Sequence, residues 1–200
     1  MTELRLTHTD RLELRAVDPG SDLEALFAIW SDPASWRHAP EYRHPEPRTT
    51  REWLELEATH WDEEGLGYWT ARLRESGEVV GAGGARRHRA GFWNLLWRID
   101  GARQGHGYAT ELGRAAVKAA RTVDDSLAAI AWIVPVNVAS RRVADRLGLI
   151  EHEQRLNVDG RHRIPYADRP LRASELARWS QSPAATRQKT ERGGFEPPMD

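Results

Sequence analysis

The chain has 200 residues, of which 40% are hydrophobic and 30% are charged, and its formal net charge is -1. This balance is typical of one globular domain with a real core, and it argues against a global electrostatic attraction to nucleic acid or to a membrane. The absence of cysteine excludes disulfides, thiolate metal sites and a cysteine nucleophile. The first residues lack the apolar run of a secretion signal, and no stretch approaches the roughly 18 apolar residues of a membrane span. We therefore predict a cytoplasmic protein with neither nucleic acid nor membrane as a partner.

The N-terminal part of the chain predicts one strand followed by one helix. Residues 11–16 alternate between apolar and polar side chains, which is typical of a half-buried strand. Ser21 or Asp22 is predicted to cap the following helix, because short polar side chains there accept hydrogen bonds from helix amides. The dipeptide of Asp32 and Pro33 predicts the end of that helix, since proline disfavours a helical backbone in the residue before it.

A loop and a second helix are predicted next. Residues 37–48 are rich in histidine, proline and arginine, and this composition indicates a loop. Thr49 or Thr50 is predicted to cap a helix with several apolar side chains, and Gly65 is predicted to end it. These two helices precede the main group of predicted strands.

The rest of the chain alternates strands and helices. Strands are predicted at 68–73, 79–85, 92–99 and 127–134, and near 151–157 and 162–168, the last two flanking a turn at Asp159 and Gly160. Helices are predicted at 110–121 and 138–147, with Gly148 as the left-handed residue that ends the second. The order β-α-α-β-β-β-α-β-α-β-β predicts an α/β (α+β) fold, in which a mixed sheet carries helices on its faces.

The composition changes close to the C-terminus. From about residue 179 the chain is polar and carries serine, proline, glycine and glutamine, which is typical of disordered segments. We therefore predict one domain over residues 1–178 and a disordered tail over 179–200.

A glycine-bearing turn joins the strand at 92–99 to the helix at 110–121. Gly105 and Gly107 permit backbone angles that other residues avoid, and they let amides approach a ligand closely. The helix that follows presents unpaired N–H groups and a positive dipole end, which together suit a pyrophosphate. A plain structural turn is the alternative for this motif taken alone. A dinucleotide fold and a P-loop are disfavoured, because neither Gly-x-Gly-x-x-Gly nor Gly-Lys-Ser/Thr is present.

Two motifs together resemble the GNAT family of N-acetyltransferases. The first is Gln-x-x-Gly-x-Ala, residues 104–109, and the second is the Asn-x-x-Ser … Leu-Gly segment, residues 137–149. Residues 108–111, Tyr-Ala-Thr-Glu, and the segments at 11–15 and 31–33 are similar to the RimJ/RimL branch. The likeness covers residues 8–170. It implies the GNAT acyltransferase fold, with a mostly antiparallel sheet and helices on both faces, acetyl-CoA as co-substrate and no metal.

The resemblance also implies where the reaction occurs. The thioester would lie between two splayed strands, with the backbone of Arg98 and Ile99 pairing with the pantetheine arm. Asn137 would orient that arm or a water, and Ser140 would donate a proton to the sulfur; for both residues a role in starting the helix is the alternative. The expected contacts of the pyrophosphate are Gln104, Gly105, His106, Gly107, Tyr108, Ala109 and Thr110.

This chain departs from the family pattern at the positions that would move protons. Ala144 stands where many members have a tyrosine acid, Asn94 where a glutamate is common, and Leu156 where the branch can supply a base. The general base is therefore unassigned. A water relayed by a surface carboxylate is one option, with Glu151, Glu153 and Asp100 as candidates.

The resemblance implies transfer of an acetyl group to a primary amine, either a protein N-terminus or a small amine, by direct attack in a ternary complex. A catalytically weak acyl-CoA sensor is one alternative. An acyltransferase for a larger acyl group is another, which the bulk of Trp97 and Trp132 would decide. The first two helices would contribute to the acceptor slot. Its candidate lining residues, each of which could equally be a packing residue, are Trp30, Trp36, His38 and Tyr42. The protein is expected to be either a monomer or a homodimer.

Overall fold

A computed structural model describes residues 4–156 and 162–181 of the chain. Its strands are β1 Leu6–His8, β2 Leu12–Ala16, β3 Tyr68–Leu73, β4 Val79–His88, β5 Phe92–Ile99, β6 Ala129–Ile133, β7 Ile150–Glu151, β8 Arg155–Leu156 and β9 His162–Ala167. Its α-helices are α1 Leu23–Ser31, α2 Pro47–Glu64, α3 Tyr108–Val123, α4 Val138–Arg146 and α5 Ala173–Gln181. Short 3-10 turns occupy Pro33–Trp36, Pro40–Tyr42 and Gly101–Arg103.

The strands form one mixed sheet in the order β1-β2-β3-β4-β5-β6-β9-β7, with β8 also paired to β9. Every neighbouring pair is antiparallel except β5 and β6, which run parallel. The predicted fold class is confirmed. In the single parallel pair, the C-terminal ends of both strands lie at the same end of the sheet, so the segments that follow them start close together.

Helices cover both faces of the sheet. Arg86 on β4 pairs with Glu57 on α2, whereas Trp93 on β5 donates its indole N–H to the carbonyl of Asp124 at the end of α3. Side chains alternate between faces along a strand, and Arg86 lies opposite Asn94 in the register of β4 and β5. Arg86 and Trp93 therefore point to opposite faces, with α2 on one and α3 on the other.

Helix α3 packs closely because its buried stripe is made of small residues. Ala116 and Ala120 are fully buried there, next to Leu112. A Cβ at Gly113 would stand 2.7 Å from the Leu147 side chain, so glycine lets α3 and α4 approach each other. This contact fixes the helix that begins at the predicted Asn-x-x-Ser motif against the helix that follows the glycine turn.

The strands at 68–73 and 92–99 have the predicted bounds, but the predicted helix caps need correction. Asp22 stands at the N-cap position of α1, yet its buried carboxylate accepts hydrogen bonds from Thr70 and Arg72, each at 2.5 Å, instead of from the helix. Helix α2 begins at Pro47, before Thr49 and Thr50, so neither threonine caps it. Proline suits the first helical turn, where its missing N–H is not needed.

Other differences concern the ends of elements. Strand β1 was not predicted, α3 begins at Tyr108 instead of Thr110, and the region predicted as one strand at 151–157 holds the short strands β7 and β8. Helix α5 continues to Gln181, beyond the predicted domain end at residue 178. The predicted turn at Asp159 and Gly160, and the predicted tail beyond residue 181, lie outside the described residues.

Buried ionisable side chains predict how stability depends on pH. Burial, with repulsion from nearby arginines, lowers the pKa of His44, His60 and His88 from 6.5 to about 4. Burial raises the pKa of Glu57 from 4.5 to about 7, against the opposing effect of Arg86. The unfolded chain therefore binds more protons at the histidines between pH 4 and 6.5, whereas the folded chain keeps the Glu57 proton to a higher pH.

We expect the free energy of unfolding to be largest near pH 6.5. It should fall toward pH 4, because three histidines outweigh one glutamate, and it should fall modestly from pH 6.5 through about pH 7, where only the Glu57 contribution is still being lost. Urea unfolding across this range measures it. Glu57→Gln should remove the decline above pH 6.5 and steepen the rise between pH 4.5 and 6.5, because Glu57 no longer opposes the histidines there. A decline above pH 6.5 that persists in this variant contradicts the assignment to Glu57.

Candidate active site

A cavity opens where the parallel strands part. β5 and β6 pair only at Trp93 with Ala129 and at Asn94 with Ile130, although β5 continues to Ile99. Beyond those two pairs the strands diverge, and a cavity of about 390 Å³ lies in the gap. Its walls come from residues 95–99 and 131–134, the turn after β5, the start of α4 and the segment near residues 34–38. Backbone groups on the facing edges of the two strands are thus open to a ligand that lies between them.

The glycine turn forms one end of the cavity. The side chain of Gln104 donates to the carbonyl of Ile99 at 3.2 Å, which ties the turn to the end of β5. Gly107 has a φ of +85° and stands at the N-cap of α3, and no side chain caps this helix. Only glycine adopts that backbone angle without strain. The first amides of α3 therefore face the cavity region without a protein capping group, as an anion site requires.

Arg11 holds the turn in place. Its guanidinium donates to the carbonyl of His106 and to the carboxylate of Glu111, both at 2.8 Å. Thr9 and the Arg11 backbone N–H also donate to Glu111. Burial alone would raise the pKa of Glu111, but these hydrogen bonds lower it below its usual value. The loop between β1 and β2 thus braces the glycine turn, a role that the sequence pattern around Arg11 did not reveal.

Two further features fit a phosphate-rich ligand. The Thr110 hydroxyl is buried in the cavity wall and has no hydrogen-bond partner among the described residues, so a ligand oxygen would satisfy it. Arg142 and Arg146 also line the cavity, and neither has an ion-pair partner in the described part of the chain. They are one turn apart on α4 and so share a face. The spacing of these two arginines could have indicated a phosphate-binding face from the sequence. It was missed because arginines on a helix more often lie on a solvated surface.

Replacing Arg142 and Arg146 together with alanine is expected to weaken acetyl-CoA binding about tenfold at low ionic strength, because two cations near the phosphates are lost. Calorimetry in increasing salt should show the gap to the wild type shrinking, since salt screens exposed charges. Arg141 is the matched control: it points to Tyr166 and Glu151 and lies outside the cavity wall. Equal losses in Arg141→Ala and the double variant would contradict a phosphate role.

The structure brings most predicted site residues together. The residues of the predicted cofactor and catalytic sets that line the cavity are Arg98, Ile99, Gln104, Gly105, Gly107, Tyr108, Ala109, Thr110, Asn137 and Ser140. His106 does not line it; its exposed ring stacks on Tyr108, with ring centres 5.8 Å apart. In the part of the chain that the structure describes, no three acidic or histidine side chains gather as metal ligands would.

The predicted acceptor residues divide into two groups. Trp30 and Trp36 are 2% and 1% exposed, and neither lines the cavity. Trp36 instead supports Arg98, whose guanidinium lies 3.5 Å from the centre of the indole ring. Tyr42 is also outside the wall, whereas His38 forms part of it. Trp97 and Trp132 line it as well, so two large side chains stand beside the gap.

Asn137 joins the start of α4 to the opposite wall. Its side-chain oxygen accepts the Ser140 N–H at 3.1 Å, so it caps the helix. Its amide nitrogen lies 3.1 Å from Nε2 of His38. Ser140 lines the cavity, and among the described residues no hydrogen bond of its hydroxyl is found. Capping by Asn137 is therefore compatible with a position facing the ligand.

None of the carboxylates considered as bases lines the cavity. Asp100 accepts the N–H of Ala102, and Glu151 accepts a hydrogen bond from the Tyr166 hydroxyl. Indeed, no aspartate or glutamate of the described residues belongs to the cavity wall. The positions where the chain departs from the family pattern supply no acid or base to the cavity either. Ala144 is fully buried, and Asn94 donates to the Tyr68 hydroxyl in the core.

Comparison with known proteins agrees with this geometry. The sequence profile of the Acetyltransferase (GNAT) domain family matches residues 11–150. The chain belongs to this family. No curated protein shows significant sequence similarity to it, and no described helix is long and apolar enough to cross a bilayer.

Solved structures share the fold at low sequence identity. An acetyltransferase from Agrobacterium tumefaciens str. C58 matches with a TM-score of 0.71 and 24% identity, over 84% of this chain and 96% of that one. RimL, described as a ribosomal L7/L12 alpha-N-protein acetyltransferase in complex with coenzyme A, matches at 0.65 and 18%, over 80% and 94%. A ribosomal-protein-S5-alanine acetyltransferase from Vibrio fischeri matches at 0.64 and 12%, over 82% and 95%.

Proposed function

We propose that this protein transfers the acetyl group of acetyl-CoA to the α-amine of a polypeptide N-terminus. The observation that carries the proposal is the uncapped start of α3 at Gly107, set at the end of a gap between parallel strands. That arrangement offers a pyrophosphate site continuous with a slot for an extended thioester arm. Two of the solved neighbours, described as acetyltransferases of ribosomal proteins, support the choice of acceptor.

In the proposed complex, the open backbone edge near Arg98 and Ile99 pairs with the pantetheine arm as an added strand would. The acceptor enters from the side of His38 and Ser35, which line the cavity opposite α4. Both substrates are then held in the gap, so the amine attacks the thioester directly and gains the rate advantage of proximity. Ser140, which lines the cavity, donates from its hydroxyl to the departing sulfur.

An α-amine suits this cavity better than a strongly basic amine. The charged side chains in its described wall are all arginines. Arg103 is paired with Glu78, whereas Arg98, Arg142 and Arg146 repel a cationic acceptor. An α-amine has a pKa of about 7.7–8.0, whereas a lysine amine has one of about 10.4. A large fraction of the α-amine is therefore already neutral close to physiological pH, and it needs only a weak base.

The proposal is tested in two stages. Calorimetry first measures acetyl-CoA binding, and release of free thiol is then followed with peptides that begin with serine or alanine. N-terminally blocked copies of the same peptides, and the polyamine spermidine, serve as comparisons. Turnover of the free peptides alone supports the proposal. Turnover of spermidine alone would overturn the α-amine assignment, and absence of acetyl-CoA binding by folded protein would overturn the cofactor site.

A catalytically weak acyl-CoA sensor is the second candidate. The observation that favours it is the lack of any carboxylate in the described cavity wall, since a base is needed for turnover. Tight acetyl-CoA binding without thiol release from any amine would support the sensor. Trp97 and Trp132 line the cavity, and large side chains there favour an acetyl group over a larger acyl group.

Ser140→Ala is expected to lower kcat about tenfold or more while leaving acetyl-CoA affinity nearly unchanged, because a donor to the departing sulfur acts chiefly in the transition state. Steady-state kinetics and calorimetry on the same preparation measure both quantities. Ser126→Ala, in an exposed turn after α3, is the control. A Ser140→Ala enzyme with wild-type kcat would exclude the hydroxyl as the proton donor.

A further inference from the structure

Two arginines lie opposite each other at the start of strand β9, outside the cavity wall described above. Arg155 on β8 and Arg163 on β9 are direct partners in the register of this antiparallel pair. The Arg163 side chain is buried, with 3% of the residue exposed, and Arg155 is half-buried. Like charges directly opposite each other destabilise a strand pair, so this arrangement needs a physical reason.

Neither guanidinium is neutralised within the described part of the chain. The Nε atoms of both arginines are buried without a hydrogen-bond partner, and neither side chain forms an ion pair with a described carboxylate. The contacts of Arg163 are with neutral groups: it donates to the carbonyl of His162 at 3.2 Å and to the Tyr42 hydroxyl at 3.4 Å. A buried cation without an anion costs free energy, which a bound carboxylate would recover.

The strand register places Arg163 close to the cavity. Pro165 on β9 is opposite Trp132, which belongs to the cavity wall. Side chains alternate between faces along a strand, so Arg163 is on the same face of the sheet as Pro165, two residues or about 7 Å away. The last pair of β6 with β9 joins Ile133 to Ile164. Arg163 therefore lies just beyond the C-terminal end of β6, where the gap between the parallel strands opens.

The contact with Tyr42 puts Arg163 on the acceptor side of the cavity. Tyr42 lies in a 3-10 turn between α1 and α2, and its ring centre is 6.4 Å from that of Trp36. Trp36 in turn supports the guanidinium of Arg98, which lines the cavity. Arg163 thus joins the start of β9 to the segment through which the acceptor enters.

We propose that Arg163, together with Arg155, binds a carboxylate of the acceptor, an inference that rests on the proposed function. An extended polypeptide advances about 3.3–3.6 Å per residue. An acceptor whose α-amine lies in the gap therefore reaches the two arginines with its second or third residue. An aspartate or glutamate at one of those positions supplies the anion that no described residue supplies.

Glutamate and glutamine provide the matched comparison. A guanidinium binds a carboxylate through charge and two parallel N–H···O bonds, whereas an amide of the same shape offers one acceptor oxygen and no charge. We expect kcat/KM for a peptide that begins Ser-Glu-Glu to exceed that for its Ser-Gln-Gln copy about tenfold or more. Steady-state release of free thiol with both peptides measures this ratio.

Arg163→Met is the decisive variant. Methionine fills the buried space without a charge, so the ratio between the two peptides should fall close to one while acetyl-CoA affinity is unchanged. Urea unfolding establishes that the variant is folded, and Arg155→Met, at the less buried position, tests the same site if it is not. Equal kcat/KM for the two peptides in the wild type, or a glutamate preference that survives in Arg163→Met, would overturn the inference.

Arg43→Met is the control for general charge attraction. Arg43 is exposed, follows Tyr42 in the chain and donates to the carbonyl of Ser31 at 3.3 Å. Its loss removes a positive charge from the same segment but leaves both buried arginines, so the glutamate preference should persist. A preference that disappears equally in Arg43→Met and Arg163→Met would show general attraction instead of a carboxylate site.

A wild type that acetylates no peptide would count against the proposed function and not against this site. Calorimetry with the two peptides and with free glutamate then tests the site directly. Binding of the Ser-Glu-Glu peptide alone, lost in Arg163→Met, would support the carboxylate site, whereas equal binding of both peptides, or of none of the three compounds, would overturn it. Binding of free glutamate alone, again lost in Arg163→Met, would keep the carboxylate site and overturn the polypeptide acceptor.

Discussion

Gly107→Val should weaken acetyl-CoA binding at least tenfold. Gly107 has a φ of +85°, and a β-branched residue held there costs about 1–3 kcal/mol. Relief of that strain rotates the backbone and turns the first amides of α3 away from the pyrophosphate. A Cβ at this position would lie 3.4 Å from the Arg11 guanidinium, an ordinary contact, so backbone strain is the main effect of the change. Calorimetry measures the affinity, and urea unfolding measures the accompanying loss of stability.

Gly148→Val is the matched control for backbone strain. Gly148 has a φ of +72°, as predicted for the residue that ends α4, and a Cβ there would meet nothing within 4 Å. It lies outside the cavity wall. Both variants should therefore lose stability to a similar degree, whereas only Gly107→Val should lose affinity. Equal affinity in the two would show that the turn at 104–109 does not hold the pyrophosphate.

Arg86→Met is expected to destabilise the fold by about 3–5 kcal/mol at alkaline pH, because it leaves a buried carboxylate without its partner. Arg86 donates to Glu57 at 2.9 Å, and the Glu57 side chain is 0% exposed. The cost should be smaller near pH 5, where the raised pKa of Glu57 lets the acid protonate. Urea unfolding at both pH values measures this difference, and adding Glu57→Gln should recover part of the loss.

The adjacent residue provides the control. Arg87 pairs with Glu64 at 3.0 Å, but the side chains are 45% and 32% exposed. Such surface pairs contribute about 0–1 kcal/mol, so Arg87→Met should change stability little. The two pairs join the same strand to the same helix, and burial is the main difference between them. Similar losses in both variants would mean that burial does not set the strength of the Arg86 pair.

The sequence alone predicted the elements whose signals are local. The strands at 68–73 and 92–99 have their predicted bounds, because their apolar runs are delimited by glycine and turn residues. The glycine turn was also visible, since Gly105 and Gly107 supply the positive φ values that it uses. Together with the second motif at residues 137–149, the turn resembles one protein family, and this resemblance predicted the fold.

The tertiary structure alone decided which distant side chains meet. Trp30 and Trp36 could line a slot or fill a core, and only the packing of α1 and α2 places them in the core. Asp22 is a plausible cap by local pattern, but the pairing of β2 with β3 brings Arg72 to it.

The same holds for the parts of the cavity that sequence reasoning missed. Arg11 reaches the turn at His106, and His38 meets Asn137 across 99 residues of chain. Periodicity and turn chemistry encode the face that a segment buries and the place where it reverses, because both depend on neighbouring residues. The contacts that complete the cavity depend instead on strand order, and above all on the placement of β6 parallel to β5, which no local pattern records.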